Sequence, residues 1–315
     1  MCPCNGHAFN QLAVLSSYSH DHLQTLYLYF RALYAKDGPF HVAQDNLANF
    51  LKQRNSGNRE KVLERLILLI EDAQGLKSLV SCLMCFWNLV LFSDVSAPVK
   101  ALDSLLNKLN IIIFEKLKNS KPRKIVRSLD LSRILVISLC VIENVWERKP
   151  EKVHEANLFG FGVTLLCITQ ILQTLEKDPL KGLWLTESPV LRSLPFPQIL
   201  MFCDWMRLHI QFALYDDSPV HIKFWSSFTL LLNELMSVQS LVNRKFDHVM
   251  NLSSQAFPLE PEGMFGFKLL YSSPSTLILK LDVEAWGVGQ YFCNVLNAML
   301  SFGQFLVQKL DVGFK

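Results

Sequence analysis

The sequence is poor in the residues that break helices. Its 315 residues include only 13 Gly and 13 Pro, and no succession of strands around Asn-Gly or Asp-Gly turns can be traced. Because hairpins depend on such turns, the composition argues against a β-sheet protein. Apolar residues instead recur at helical spacing, as in Leu102, Leu105, Leu109 and Ile113. The sequence therefore predicts an all-α fold.

Charged residues are also few, at 19% of the chain, and neither sign is in large excess, since the net charge is only +3. So small an excess does not by itself imply a polyanionic partner. One basic run stands out, with six cations between Lys116 and Arg127. We favour a solvated interhelical loop because the net charge is modest and no aromatic residues alternate with the cations. The alternative is a phosphate-binding or nuclear-import segment. The candidate nucleic-acid-binding residues are Lys118, Lys121, Arg123, Lys124 and Arg127.

Catalytic motifs are missing. The sequence contains no Gly-x-Ser-x-Gly, no His-Glu-x-x-His and no Walker-type phosphate loop. Gly160 and Gly162 are a fragment of a glycine-rich pattern within an apolar helix, and we attribute them to close helix packing. We therefore predict no catalytic residue, no cofactor and no enzymatic activity.

A zinc-binding set of cysteines is missing too. Eight Cys are dispersed along the chain, and Cys82 and Cys85 have no second pair at suitable spacing. A structural zinc site needs four ligands, so we predict no metal. Most of the cysteines lie in apolar helical runs, which is typical of buried thiols in a reducing compartment. We expect a cytoplasmic protein, with shuttling to the nucleus as an option.

No apolar run reaches the length of about 20 residues that crosses a bilayer. The three longest are Leu76–Phe92, Leu131–Val145 and Leu158–Leu172. We interpret them as core helices and expect no membrane association, with a small helical membrane protein as an alternative. The N-terminus also lacks the basic and apolar segments of a signal peptide.

Two regions are predicted from the helical pattern. Residues 1–53 contain an antiparallel helix pair with a turn at Asp21 and His22, resembling a tetratricopeptide unit. Residues 54–315 are predicted to form a helical-hairpin domain with a loop at about 177–197. Trp205 and Trp225 belong to an aromatic stripe on two adjacent helices of this domain. Core packing is the default for such a stripe, and an exposed part of it would bind a protein partner.

The opening segment also resembles a known family, the Ever Shorter Telomeres/SMG proteins. The pieces that carry the resemblance are Gly6-x-x-x-Asn10-Gln11-Leu12-Ala13, a polar joint, Tyr27-x-Tyr29-x-Arg31, Pro39-Phe40 and Ala43-x-x-Asn46-Leu47. Later segments are similar to the family in the same order: Pro197–Arg207, Phe224–Asn233, Pro258–Leu269 and Ser301–Leu306. The hairpin at Leu131–Leu175 is most similar to the SMG-five branch.

The resemblance implies a 14-3-3-like, tetratricopeptide-related helical tail followed by a helical-hairpin domain. It also implies an adaptor of nonsense-mediated mRNA decay. By resemblance, its partners would be the phosphorylated RNA helicase of that pathway, a sister SMG protein, phosphatase 2A and decay factors. A nucleic-acid-binding role in telomerase, telomere or mRNA metabolism is the alternative. We expect neither the family's phosphoserine-gripping Lys and Arg nor its PIN nuclease domain in these residues.

Overall fold

The computed structural model describes residues 5–36, 38–54, 59–115, 125–177, 194–214, 218–245 and 297–308. Within these ranges the chain is almost entirely helical, and an isolated backbone bridge joins Asn5 and Gly38. The predicted all-α class is confirmed. The helices are α1 (Gly6–Tyr18), α2 (His22–Leu33), α3 (Ala43–Arg54), α4 (Arg59–Asp72), α5 (Leu76–Phe92), α6 (Val99–Leu109), α7 (Ile125–Arg148), α8 (Val153–Lys177), α9 (Phe196–Leu208), α10 (Pro219–Lys245) and α11 (297–308).

Short helical turns extend three of these helices. A π-helical turn, Asn110–Glu115, follows α6 directly, and a 3-10 turn, Pro150–Lys152, precedes α8. A second 3-10 turn, Ile210–Leu214, comes after α9. The helix predicted from the apolar stripe of α6 therefore changes its hydrogen-bond pattern after Leu109 instead of continuing as a regular α-helix.

The chain divides into two compact units, and the division falls inside α8, after Val163. In the first unit, α2 packs against α1, α3 and α7, and α5 packs against α3, α4 and α7. The second unit contains the rest of α8 together with α9, α10 and α11. The boundary that we predicted between residues 53 and 54 stays a prediction, and residues 55–58 and 178–193 of the predicted linker and loop lie outside the described residues.

The first helix pair begins and turns where the sequence predicts. Asn5 caps α1 by accepting a hydrogen bond from the His7 N–H at 2.9 Å, and Asp21 caps α2 by accepting one from Gln24 N–H at 3.0 Å. Short polar side chains are preferred at this position because they satisfy the free N–H groups of a first turn. Between the helices, His20 has a φ of 59°, the left-handed conformation that reverses the chain.

The argument that no apolar stretch is long enough to span a membrane was wrong for Leu158–Leu172. It belongs to a longer helical stretch, Pro150–Glu176, which is long and apolar enough to cross a membrane. Yet 67% of its apolar window is buried inside the fold, as in the core helix of a soluble protein. The separate prediction of no membrane association remains a prediction.

The glycines of α8 are explained by close packing in the first unit. A Cβ at residue 160 would lie 2.9 Å from Ile142 Cδ1, and one at residue 162 would lie 2.5 Å from Leu106 Cδ1. The glycines therefore let α7 and α6 approach the backbone of α8, as the sequence predicted.

Candidate functional site

Gly6 begins α1 at a point where three chain segments meet. Its N–H donates to the Gly38 carbonyl at 2.9 Å, and the Phe40 N–H donates to the Ala32 carbonyl at 2.8 Å. A Cβ at residue 6 would collide with the Ala32 carbonyl oxygen and lie 2.7 Å from that of Gly38. Backbone atoms cannot move aside as a flexible side chain can, so only glycine fits here.

Asn10 continues this contact from α1 to α3. Its side chain is 4% exposed, and its Oδ1 accepts a hydrogen bond from Asn46 Nδ2 at 3.0 Å. Buried amides are costly without partners, so this pair fixes the relative position of the two helices. Both asparagines belong to the segments that resemble the Ever Shorter Telomeres/SMG family.

Arg31 supplies a charge inside the same cluster. The residue is 1% exposed, its guanidinium carbon lies 4.3 Å from the centre of the Phe9 ring, and Nη1 donates to the Tyr27 hydroxyl at 3.3 Å. We call Gly6, Asn10, Arg31 and Asn46 the signature cluster. These four residues join α1, α2 and α3 internally, and all four lie in the opening segments that resemble the family.

The C-terminal end of α2 is joined to α7. The Tyr34 hydroxyl donates to the Cys140 carbonyl at 3.3 Å, and burial raises the pKa of Tyr34. One turn further along α7, Asn144 Nδ2 lies 3.5 Å from Gln44 Oε1 of α3. Polar contacts therefore continue from the signature cluster to the helical hairpin.

The predicted basic site cannot be placed. Lys118, Lys121, Arg123 and Lys124 lie outside the described residues, and Arg127 lies in α7 at a position whose side chain the structure does not describe. The flanking described elements are the π-helical turn Asn110–Glu115 and α7. The assignment of these cations to nucleic-acid binding stays a prediction.

The two predicted partner-binding tryptophans lie in different surroundings. Trp205 is 0% exposed and stacks on Phe212, with ring centres 5.3 Å apart and an angle of 12° between the planes. Trp225 is partly exposed and contacts Phe224 and Phe228 edge to face. Trp205 therefore belongs to the core, whereas Trp225 has exposed surface, and its role in partner binding stays a prediction.

The described cysteines are buried thiols. Cys82, Cys85, Cys140, Cys167 and Cys203 are all buried and free. Burial raises the pKa of Cys82 to about 11 and that of Cys85 to about 12, so both stay protonated near neutral pH. Metal ligation and nucleophilic attack need the thiolate. Across the described part of the chain, no group of three or more His, Cys, Asp or Glu side chains could hold a metal ion.

A buried ionic cluster joins the loop after α5 to the start of α8. Lys152 is 1% exposed, and its Nζ donates to Val95 O at 2.7 Å, Ser96 Oγ at 3.3 Å and Glu155 Oε1 at 3.3 Å. The other oxygen of Glu155, Oε2, accepts from the Ala97 N–H at 3.0 Å. We call Lys152 and Glu155 the ionic clamp.

Sequence reasoning missed this clamp. The segment between α7 and α8 is rich in charge, and we interpreted it as a joint between two hairpin arms. The signal in the sequence was that Lys152 and Glu155 stand next to the apolar residues Val153 and Ala156. In the structure all four residues are buried.

In the second unit, Arg207 links α9 to α11. Its Nη1 lies 3.7 Å from Asp204 Oδ1, and its Nη2 donates to Ser301 Oγ at 3.3 Å. Desolvation raises the pKa of Asp204 to about 6, against the opposing effect of Arg207. The Asp204 side chain is 43% exposed, so water screens part of this interaction.

Comparison with known proteins agrees with the resemblance carried by the signature cluster. The chain matches the family described as Est1 DNA/RNA binding domain over residues 1–274. It is also similar to the nonsense-mediated mRNA decay factor SMG7 of Danio rerio, with 24% identity over 218 residues. That alignment covers 66% of this chain and 16% of the relative, so the chain spans about one sixth of the length of that protein. Because the family match covers most of the chain, the protein belongs to the Est1/SMG family of helical factors related to nonsense-mediated decay and telomerase.

Proposed function

We propose that this protein is a non-catalytic helical adaptor of nonsense-mediated mRNA decay. The observation that carries the proposal is the signature cluster, in which the residues typical of the family pack inside the fold. A cluster of this kind positions helices, and stacked helices offer extended surfaces to protein partners. Similarity to a relative named a decay factor supports the same pathway.

The proposed partners are proteins of the decay machinery: a sister SMG protein, the phosphorylated RNA helicase and phosphatase 2A. Within this proposal the protein is cytoplasmic and shuttles to the nucleus. The closer relationship to the SMG-five branch remains our prediction from the hairpin at Leu131–Leu175.

A pull-down of the tagged chain from cell extract, with and without RNase, tests the adaptor. We expect decay factors to be retained after RNase, since protein surfaces hold them. Recovery of these factors only without RNase would contradict a direct adaptor role.

Trp225 is the described residue best suited to identify the partner surface. Trp225→Ala should reduce the recovery of a direct partner, because a partly exposed aromatic ring contributes strongly to interfaces. Trp146→Ala is the matched control, since Trp146 is 40% exposed and lies in the first unit. Equal recovery with wild type and both variants would remove Trp225 from the partner surface.

Nucleic-acid binding is the second candidate function, favoured by the description of the matching family as a DNA/RNA binding domain. It assigns phosphate contacts to the basic run. Replacing Lys121, Arg123 and Lys124 by Ala should weaken binding to a single-stranded oligonucleotide and flatten its salt dependence.

A control variant with the same change in net charge distinguishes direct phosphate contacts from a general electrostatic effect on affinity. Lys61, Lys77 and Lys100 are exposed on α4, α5 and α6, and replacing all three by Ala also lowers the net charge from +3 to 0. We expect the control to retain most of the affinity. Equal losses in both triple variants would indicate a general charge effect and would reject the specific site.

A further inference from the structure

The loop at residues 93–98 presents one hydroxyl group to a buried cation. Ser96 is exposed and lies outside the helices, yet its Oγ accepts a hydrogen bond from Lys152 Nζ. Lys152 itself is almost fully buried. An accessible serine in a non-helical segment therefore touches a charged group that is fixed inside the fold.

We propose that Ser96 is a phosphorylation site and that the ionic clamp responds to its phosphate. This inference goes beyond the proposed adaptor function and does not depend on the identity of any decay partner. The reaction is transfer of the γ-phosphoryl group of a nucleoside triphosphate by a protein kinase. A bond forms between Ser96 Oγ and phosphorus, the bond from phosphorus to the β-phosphate oxygen breaks, and the hydroxyl proton leaves to solvent.

The geometry makes the phosphate a competitor of Glu155. An ammonium group has three N–H donors, and those of Lys152 are used by Val95 O, Ser96 Oγ and Glu155 Oε1. A phosphoserine carries a charge of about −1.5 to −2 near neutral pH, and its oxygens are strong acceptors. The phosphate therefore draws Lys152 away from the carboxylate that now holds it.

Glu155 cannot simply move into solvent. It is 6% exposed, and its Oε2 holds the N–H of Ala97, the residue next to Ser96. Phosphorylation places a second anion beside this carboxylate in a poorly hydrated region. Like charges at short distance repel, so the hydrogen bond to Ala97 breaks and the loop at 93–98 loosens.

A second cation lies close to the loop. Lys149 Nζ donates to Ser93 O at 3.3 Å and to Asp94 Oδ1 at 3.2 Å, and its side chain is partly exposed. It gives the phosphate a partner at the surface. Ser93, by contrast, is 5% exposed and its Oγ accepts from the Val95 N–H, so it is not accessible to a kinase.

The first test is mass spectrometry of the tagged chain isolated from its native cells with phosphatase inhibitors. We expect a phosphopeptide with the modification on Ser96, and its loss in Ser96→Ala. Complete coverage of this peptide without any phosphate on Ser96 would overturn the proposed site.

The second test places phosphoserine at position 96 by genetic encoding and compares thermal unfolding in wild-type and Glu155→Gln backgrounds. We expect phosphorylation to lower the melting temperature by roughly 2 °C in the wild type, because 1 kcal/mol shifts chains of about 150–250 residues by about 2–4 °C and longer chains by less. In Glu155→Gln the decrease should disappear, because the competing charge is gone. The same decrease in both backgrounds would reject competition with Glu155.

Amide hydrogen exchange gives a readout that does not require a folded Glu155 variant. Exchange of the Ala97 N–H should accelerate at least about tenfold in the phosphorylated chain, since this N–H is the one held by Glu155. Unchanged exchange at residue 97, in a chain that carries the phosphate, would show that the clamp does not respond.

Discussion

Two clusters hold their helices together by different interactions: the signature cluster, and the aromatic cluster of Phe202, Trp205, Phe212 and Phe224. The first uses a close backbone approach at Gly6 and a buried hydrogen bond between Asn10 and Asn46. The second uses ring packing, with Trp205 against Phe212 and Phe202 against Phe224. Hydrogen bonds and backbone contacts require particular atoms, whereas ring packing requires mainly volume and shape. The polar cluster is therefore the one in which the choice of residue type is most narrowly constrained.

The largest effect should come from emptying the aromatic cluster. Trp205→Ala removes a fully buried ring and should reduce the free energy of unfolding by about 3–5 kcal/mol. Trp225→Ala, at a partly exposed position, should cost clearly less. Urea denaturation of both variants makes the comparison, and equal losses would contradict the assignment of Trp205 to the core.

The close approach at Gly6 should be the next most sensitive feature. Gly6→Ala forces a methyl group against backbone oxygens and should destabilise the protein by about 3 kcal/mol. Gly75→Ala is the matched control, because nothing lies within 4 Å of a Cβ at that position. If the two variants unfold at the same urea concentration, the backbone around Gly6 has room that the structure does not show.

The hydrogen bond between the two asparagines should contribute less, and in a diagnostic way. Asn10→Ala leaves Asn46 Nδ2 without its partner and should cost about 1–3 kcal/mol. The double variant with Asn46→Ala should cost less than the sum of the two single changes, because no orphaned amide remains. Strict additivity in urea denaturation would show that the pair is not coupled.

The smallest expected effect is a pH dependence in the second unit. Because the pKa of Asp204 is about 6 in the folded state, above its ordinary value of 3.8, the folded protein binds more protons between these values. Stability contributed by Asp204 is thus present below pH 4 and is lost as the pH rises through 6.

Asp204→Asn should remove this loss, so its free energy of unfolding should fall less than that of the wild type between pH 4 and pH 6.5. Asp103→Asn, at an exposed position on α6, is the control and should follow the wild type. Parallel pH profiles for wild type and Asp204→Asn would show that desolvation of Asp204 is negligible.

Local patterns predicted much of the fold. The turn at Asp21, the all-α class and the packing role of Gly160 and Gly162 all followed from residue type and spacing, which act over a few residues. The resemblance in the first fifty residues predicted the family, which the comparison shows.

Contacts between distant segments were not predictable in the same way. Lys152 resembles a solvated lysine in the sequence, but in the fold it is buried and bonded to the loop at 93–98, more than fifty residues away. Likewise, nothing in the local sequence distinguishes the buried Trp205 from the partly exposed Trp225. The partner that covers a side chain is set by tertiary structure, which periodicity does not contain.

The signature cluster also has a consequence for the order of events during synthesis. Its amide pair joins residues 36 positions apart, whereas the contact from Tyr34 to Cys140 spans 106 positions. Contacts that are close along the chain cost less loop-closure entropy and form sooner. The first three helices can therefore pack on one another early in synthesis, before the contact between Tyr34 and α7 forms.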